Sequence, residues 1–325
     1  MEAAIILTYR CTCRCYMCHT WKFPTRPEDE IRPEELKKLP GGLAFCNLTG
    51  GEPFLRDDIA DVIDVMKGKS RRIVISTNGY LTDKIVDVVR RYPDVGIRVS
   101  IEGLPAANDE LRGLKDGFDH GLRTLMQLQR LGATDIGFGI TVSDRNHRDM
   151  LELYDLAEKL GFEFATAAVH NSYYFHKLDN QFAQPEDVIA SFKALIERLL
   201  ATGRVKNWYR AYFNYGLTEY IRGHPRLLPC EAGTENFFVC PNGDVVPCNG
   251  SDEPWVMGNL RTQTWEEIWN SPRAKAVRIQ VADCPKNCWM IGTAAPVMKK
   301  YPWAPTKWTL RNKARKIIGR PLDLG

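Results

Sequence analysis

The chain has 325 residues, of which 44% are hydrophobic and 26% charged, with a formal net charge of +4. That is room for one large α/β domain with an appendage, or for two domains, and so mild a charge makes no case for a nucleic-acid partner. No stretch approaches the roughly 18–20 uninterrupted apolar residues of a membrane span.

Residues 3–7 form a short, continuous apolar run that reads as a first strand buried on both faces. The segment before Cys11 is too short for a signal peptide and carries the acidic Glu2. Ten cysteines with clustered spacing and no export signal read as metal ligands in a reducing compartment, so the expected location is cytoplasmic.

Directly after the strand stands Cys11-Thr-Cys-Arg-Cys15-Tyr-Met-Cys18, in which Cys11, Cys15 and Cys18 have the spacing C-x3-C-x2-C. A four-thiolate [4Fe–4S] site takes one cysteine per iron, so three leave one iron open to another ligand. Zinc is the alternative, with His19 or Cys13 as the fourth ligand. Cys13 itself, between two of the ligands, is expected to face away.

Pro33 followed by Glu34 and Glu35 marks a helix start. Residues 43–48 read as a second strand ending in Gly50-Gly51-Glu52-Pro53, and residues 57–66 as a helix. A third strand, 72–75, ends in Ser76-Thr77-Asn78-Gly79; a fourth, 96–101, ends in Glu102-Gly103. Helices are expected over 81–92, 121–131 and 147–160, the last stopped by Gly161, with strands at 135–142 and 163–169. Strand and helix alternate six times, which predicts a parallel sheet with helices outside. Two more helices are expected over 185–203 and about 208–222. The pattern then becomes short, turn-rich and cysteine-containing, with a β-hairpin around Pro241-Asn-Gly-Asp244.

The two cysteine sets and the strand-end motifs resemble those of the radical S-adenosylmethionine (radical SAM) superfamily. The resemblance implies a partial (β/α)6 barrel with a small C-terminal cysteine-rich hairpin module of the SPASM/twitch type. It implies domains at 1–222 (barrel and linking helices), 223–292 (auxiliary module) and 293–325 (a basic tail containing Trp303 and Trp308). It also implies that a [4Fe–4S] cluster on Cys11, Cys15 and Cys18 is chelated by SAM. Reductive cleavage of SAM would give a 5′-deoxyadenosyl radical that takes a hydrogen atom from substrate.

By the same resemblance, Gly50, Gly51, Glu52 and Pro53 would hold the methionine amino group of SAM. Two glycines allow close backbone approach, and a carboxylate suits an amine. Ser76, Asn78, Ser100 and Glu102 would lie at strand ends beside the ribose, with Glu102 replacing the commoner Asp. Arg112 would pair with the SAM carboxylate, and Met17 would stand where an aromatic residue usually meets adenine. Cys230, Cys248, Cys284 and Cys288 fit the four ligands of one auxiliary [4Fe–4S] cluster. A structural zinc is the alternative there, and Cys240 could substitute for any of the four.

Cys46, on the second strand, is a candidate hydrogen-atom donor or a core filler. His170 and Asn171, at the end of the sixth strand, are candidates for substrate contact or proton acceptance. The architecture is similar to that of radical SAM alcohol dehydrogenases with one auxiliary cluster. The expected reaction is therefore oxidation or epimerisation at a carbinol carbon of a sugar, aminocyclitol or sugar conjugate, with the auxiliary cluster as electron acceptor. A reductase or a flavodoxin- or ferredoxin-type protein would supply the electron. The alternatives are a maturase that crosslinks or epimerises a ribosomal peptide, and a non-catalytic iron–sulfur or zinc module. The short segment before Cys11 leaves no room for a leader-binding domain, which favours the small molecule. The tail's basic residues interleaved with tryptophan fit either a helix capping the barrel or contact with an anionic membrane surface.

Overall fold

The computed structural model describes residues 1–325 and shows an α/β fold built on one nine-stranded sheet. Its first half runs β1 (Glu2–Ile6), α1 (Pro33–Leu36), β2 (Phe45–Thr49), α2 (Ile59–Lys67), β3 (Ile73–Thr77), α3 (Thr82–Arg91) and β4 (Gly96–Ser100). It continues through α4 (Pro105–Arg112), α5 (Gly117–Arg130), β5 (Ile136–Val142), α6 (Met150–Leu160) and β6 (Glu163–Ala168). Helices α7 (Pro185–Ala201) and α8 (Val205–Ile221) follow, then β7 (Asn236–Val239), β8 (Asp244–Val246), β9 (Gly258–Asn259), α9 (Trp265–Trp269), α10 (Pro272–Ala282), α11 (Ile291–Lys300) and α12 (Trp303–Ile317).

The strand order is β6-β5-β4-β3-β2-β1-β7-β8-β9, and β1 to β6 are all parallel. The six expected strands are all present. Helix α4 is an addition: it starts at Pro105, where the sequence shows a turn after Glu102-Gly103 rather than a long periodic stretch. The hairpin is no separate sheet. Strand β7 pairs in parallel with β1, in the register Ala3 to Phe237 and Ile5 to Val239. Residues of the auxiliary module therefore extend the barrel's own sheet.

Alternate strand residues separate two faces. Ala3, Ile5 and Leu7 on β1 and just after it, with Cys46, Leu48, Ile73, Ile75, Ile97, Val99, Phe138 and Ile140, join the helices in one large apolar core. From β2 to β5 the other face carries mostly small and polar groups, Asn47 and Thr49, Ser76, Arg98 and Ser100, Gly139 and Thr141, while at β1 and β7 it carries Ala4, Ile6 and Phe238, packed with Tyr174. That inner face is the one free to receive ligands, and in parallel α/β folds ligand groups gather where the strands end.

Candidate functional site

The cysteine loop follows β1 and is held from both sides. Below it, Glu30, only 2% exposed, takes both guanidinium donors of Arg10 at 2.9 and 2.8 Å and the hydroxyls of Thr8 and Thr25. Above it, the backbone N–H groups of Arg14 and Tyr16 donate to the carbonyls of Arg112 and Leu111 at 2.9 and 2.8 Å. Cys11, Cys15 and Cys18 are all partly covered, and Cys18 Sγ lies 3.0 Å from the Thr20 hydroxyl. Cys13 does not face away as expected. It is 1% exposed, with its thiol between those of Cys11 and Cys15 and 3.7 Å from Arg112 Nη2.

The glycine turn after β2 is built by close approach. A Cβ on Gly50 would stand 2.5 Å from the carbonyl oxygen of Thr8, and one on Gly51 2.2 Å from that of Arg10. The N–H groups of Gly51 and Glu52 donate to those same two carbonyls, at 2.7 and 2.8 Å. The glycines thus bring the turn against the chain that leads into the cysteine loop. Pro53 is buried behind them, at the start of a single helical turn capped by Glu52.

Glu52 is fully buried, and its carboxylate accepts from the N–H of Phe54 (3.1 Å), the hydroxyl of Thr77 (2.8 Å) and the N–H of Asn78 (2.8 Å). Burial pushes this carboxyl up to about 7, against the pull of those donors. All three bonds run within the chain, so the side chain fastens the end of β2 to the end of β3. Asn78 is likewise spoken for: its amide donates to Thr12 Oγ1 at 2.8 Å and its carbonyl accepts from the N–H of Tyr80 at 2.9 Å. Ser76 donates to Asn47 at 3.0 Å on the inner face, and Ser100 is partly exposed beside it.

Arg112 and Glu102 form a buried pair, Nη1 to Oε1 at 2.9 Å, and Glu102 also accepts from the N–H of Thr141 at 2.6 Å. Burial raises the Glu102 carboxyl, and Arg112 offsets that rise. The Arg112 Nε–H is buried and has no partner. A buried guanidinium donor left open beside the cysteine loop is what an incoming carboxylate would satisfy. Met17 is buried with Leu111 and Val169, so its side chain packs into the loop's support.

Of the two readings of Cys46, the structure takes the core filler and not the hydrogen-atom donor. Its side chain lies wholly in the helix-side core with Leu48 and Ile75, because β2 presents Asn47 and Thr49 to the inner face. It has no polar partner, and burial alone pushes its thiol far up.

The second cysteine set lines one cavity: Cys230, Cys248, Cys284 and Cys288, floored by Trp255 and Met290. Cys240 lies elsewhere, buried on the inner face with its sulfur 3.7 Å from the Tyr173 hydroxyl. Cys288 is set by its neighbour. Trp289 is 1% exposed and donates through its indole N–H to the Phe213 carbonyl at 2.9 Å. A Cβ on Gly216 of α8 would come within 2.1 Å of that indole nitrogen. Four cysteines lining one cavity match one cysteine per iron of a [4Fe–4S] cluster.

What the sequence did not disclose is the connection between the two sets. The sixteen-residue loop 169–184, between β6 and α7, touches both. Towards the first set, the Phe175 carbonyl accepts from the His19 N–H at 2.7 Å and the Tyr174 carbonyl from the Thr20 hydroxyl at 3.1 Å. The Tyr174 hydroxyl donates to the Gly50 carbonyl at 2.6 Å, and the Asn180 amide to the Met17 carbonyl at 3.2 Å. Towards the second set, the Tyr173 N–H donates to the Ser251 carbonyl at 3.1 Å and the Ser172 hydroxyl to the Asn249 carbonyl. The only sequence signal was the run Tyr173-Tyr174-Phe175 inside an otherwise polar stretch.

His170 opens this loop. Its Nδ1 lies 3.2 Å from the Ala168 carbonyl, which fixes the proton on Nδ1, and its ring rests on Phe175 at 4.9 Å. Nε2 is then an acceptor, buried and without a partner. Burial pushes the imidazole down to about 4, so it is neutral near pH 7. Asn171 faces back into the loop, bonded to Asn180.

Comparison with known proteins agrees with this geometry. A family model described as the radical SAM superfamily matches residues 5–157, and one described as an iron–sulfur cluster-binding domain, SPASM, matches residues 230–290. The Fe-coproporphyrin III synthase of Methanosarcina barkeri is 34% identical over 161 residues, covering 47% of this chain and 40% of that protein. The antilisterial bacteriocin subtilosin biosynthesis protein AlbA of Bacillus subtilis is 23% identical over 287 residues, 84% of this chain and 60% of that protein. The mycofactocin maturase MftC of Mycolicibacterium smegmatis is 28% identical over 277 residues, 81% of this chain and 68% of that protein. The chain therefore spans less than two thirds of the first two relatives, 40% and 60% of their lengths. Among solved structures, anSMEcpe with bound AdoMet and Cp18Cys peptide superposes with a TM-score of 0.64 at 15% identity, over 95% of this chain and 99% of that one. At that identity the likeness is one of fold.

Proposed function

Because this chain belongs to the radical SAM superfamily and carries a SPASM module behind its barrel, we propose that it is a maturase acting on a ribosomally made peptide. Its cofactors are SAM, a SAM-bound [4Fe–4S] cluster and auxiliary iron–sulfur. The observation that carries the substrate class is the span of the relatives. Proteins named for the biosynthesis of a bacteriocin and the maturation of mycofactocin align over 84% and 81% of this chain, barrel and module together. The expectation of a sugar or aminocyclitol gives way to that reading. A second reading, a haem-type tetrapyrrole, is favoured by the 27% identity to the AdoMet-dependent heme synthase of Methanosarcina barkeri over 82% of this chain.

Cys11, Cys15 and Cys18 would hold the SAM-bound cluster, and Cys230, Cys248, Cys284 and Cys288 the auxiliary one. When bound, the first cluster and SAM supply a 5′-deoxyadenosyl radical that takes a hydrogen atom from the substrate. The chain's own residues do the rest. Arg112, its charge balanced by Glu102, offers its open Nε–H to the SAM carboxylate. Ser76 and Ser100, on the inner face, would meet the ribose hydroxyls. Glu52 and Asn78 act one step back, keeping the strand ends and the cysteine loop in register. The 169–184 loop covers the space between the two cysteine sets and keeps water out. His170, held neutral by burial, offers its open Nε2 as a hydrogen-bond acceptor towards the substrate.

The test is 5′-deoxyadenosine formation by the reduced, reconstituted protein with three additions in parallel: precursor peptides encoded beside its gene, an iron porphyrin and an aminocyclitol. Stimulation by a peptide, with a mass change in that peptide, is expected. Turnover with the aminocyclitol alone would overturn the proposal, and turnover with the porphyrin alone would establish the second reading.

A further inference from the structure

Helix α12 is packed on one side and bare on the other. Trp308 stacks on Tyr215 with centroids 5.1 Å apart and meets Tyr212 edge-on at 5.6 Å. Pro305, Thr309 and Asn312 are buried beside it. On the far side Trp303, Leu310 and Ile317 follow one another in seven-residue steps and are 64%, 61% and 84% exposed, and Ile318 next to them is 63% exposed. At 3.6 residues per turn these three fall in a stripe about 40° wide, directly opposite Asn312. Ala314 borders the stripe with Lys307 and Arg311 beyond it on the same flank, while Lys313 on the other flank turns back over the Trp208 ring at 4.1 Å.

The charge is as lopsided as the exposure. From Trp303 to Gly325 there are six basic residues and one acidic, Asp323, while the whole chain nets only +4. Asp323 is already held by Arg311 at 2.6 Å.

We infer that the outer face of α12 is a docking surface for an anionic lipid bilayer. A partner helix would need a second apolar row between the seven-residue steps to make a seam. Those positions are Thr306, Lys307, Lys313 and Ala314, of which only the small Ala314 is apolar. A second copy of the chain would also bring the same positive field against itself. A single apolar row with tryptophan at one end and isoleucine at the other, bordered by lysine and arginine, matches a helix lying flat in a bilayer interface. Its basic flank, Lys307 and Arg311, meets anionic headgroups, an attraction that salt screens. The 15 residues of α12 are too few to span a bilayer, and no helix of the chain is long and apolar enough to do so.

The test is co-sedimentation of the full 325-residue chain with vesicles of phosphatidylcholine alone and of phosphatidylcholine mixed with phosphatidylglycerol. Binding to the mixed vesicles should exceed binding to the neutral ones by about tenfold or more and fall at high salt. The double change Leu310→Glu and Ile317→Glu should reduce it by about tenfold or more with the melting temperature unchanged, since both side chains point outward. Equal binding to both vesicle types, or full binding by the variant, would overturn the inference. So would a concentration-dependent dimer that the variant dissolves in the absence of vesicle binding, which would assign the face to a second copy.

Discussion

The Tyr174 hydroxyl donates to the Gly50 carbonyl at 2.6 Å, latching the loop after β6 to the glycine turn after β2. The same loop reaches Ser251 beside the second cysteine cavity through Tyr173, so one segment aligns both cofactor sites. Tyr174→Phe removes the latch without removing the ring. It should cost about 1 kcal/mol of stability and raise the apparent Kd for SAM several-fold, while iron content stays at the wild-type value. Equilibrium unfolding and SAM titration of the reconstituted protein check this.

Arg112 is the residue whose chemistry is hardest to replace. Lysine keeps the charge but loses the fork that serves Glu102, Cys13 and the open Nε position together. Arg112→Lys should therefore weaken SAM binding by about tenfold or more. Binding equal to wild type would remove the arginine from the SAM site.

For Cys46 the expectation is loss of stability without loss of chemistry. Cys46→Ala should retain SAM cleavage and substrate turnover at a cost of about 1 kcal/mol. Cys46→Ser should destabilise more, because it buries a hydroxyl with no partner in an apolar core. Abolished turnover in a folded, iron-replete Cys46→Ala protein would restore the hydrogen-donor role.

Gly216 separates the two cofactor sites experimentally. An alanine methyl would collide with the Trp289 indole, which stands beside Cys288. Gly216→Ala should cost about 1–3 kcal/mol and lower iron at the second site while the first keeps its SAM-dependent signal. Electron paramagnetic resonance of the reduced protein with and without SAM resolves the two.

His170 gives a pH signature. The unfolded histidine takes up a proton below about 6.5, the folded one only near 4. Between those values the folded state binds fewer protons, so stability falls as pH drops from 6.5 to 4 and is fully present above 6.5. His170→Gln should flatten the slope of unfolding free energy in that window. It should also lower product formation while leaving SAM affinity unchanged, a split that a purely structural histidine would not produce.

The sequence carried the parallel strands, the two cysteine sets and the strand-end motifs because each rests on local pattern: apolar runs, fixed cysteine spacing, glycine at a tight turn. What it could not carry was parity and partnership. Whether Cys46 or Asn47 faces inward depends on the phase of a strand that is buried on one face and partly covered on the other. Cys240 and Cys248 look alike on a line, yet only Cys248 reaches the cavity, since β7 and β8 turn Cys240 towards Tyr173. The pairing of β7 with β1 joins residues more than 230 positions apart, and no local signal announces it. Glu52 and Asn78 were expected to touch a ligand because of their motif. Their hydrogen bonds instead tie neighbouring strand ends together.

The account stands on two iron–sulfur sites, one per cysteine set. The most direct measurement is iron and sulfide content with Mössbauer spectra after anaerobic reconstitution, for the wild type and for a variant with Cys11, Cys15 and Cys18 all changed to alanine. About 8 irons in the wild type and about 4 in the variant are predicted, all in [4Fe–4S] form. About 4 in the wild type and almost none in the variant, with zinc retained, would contradict the second site and leave it structural.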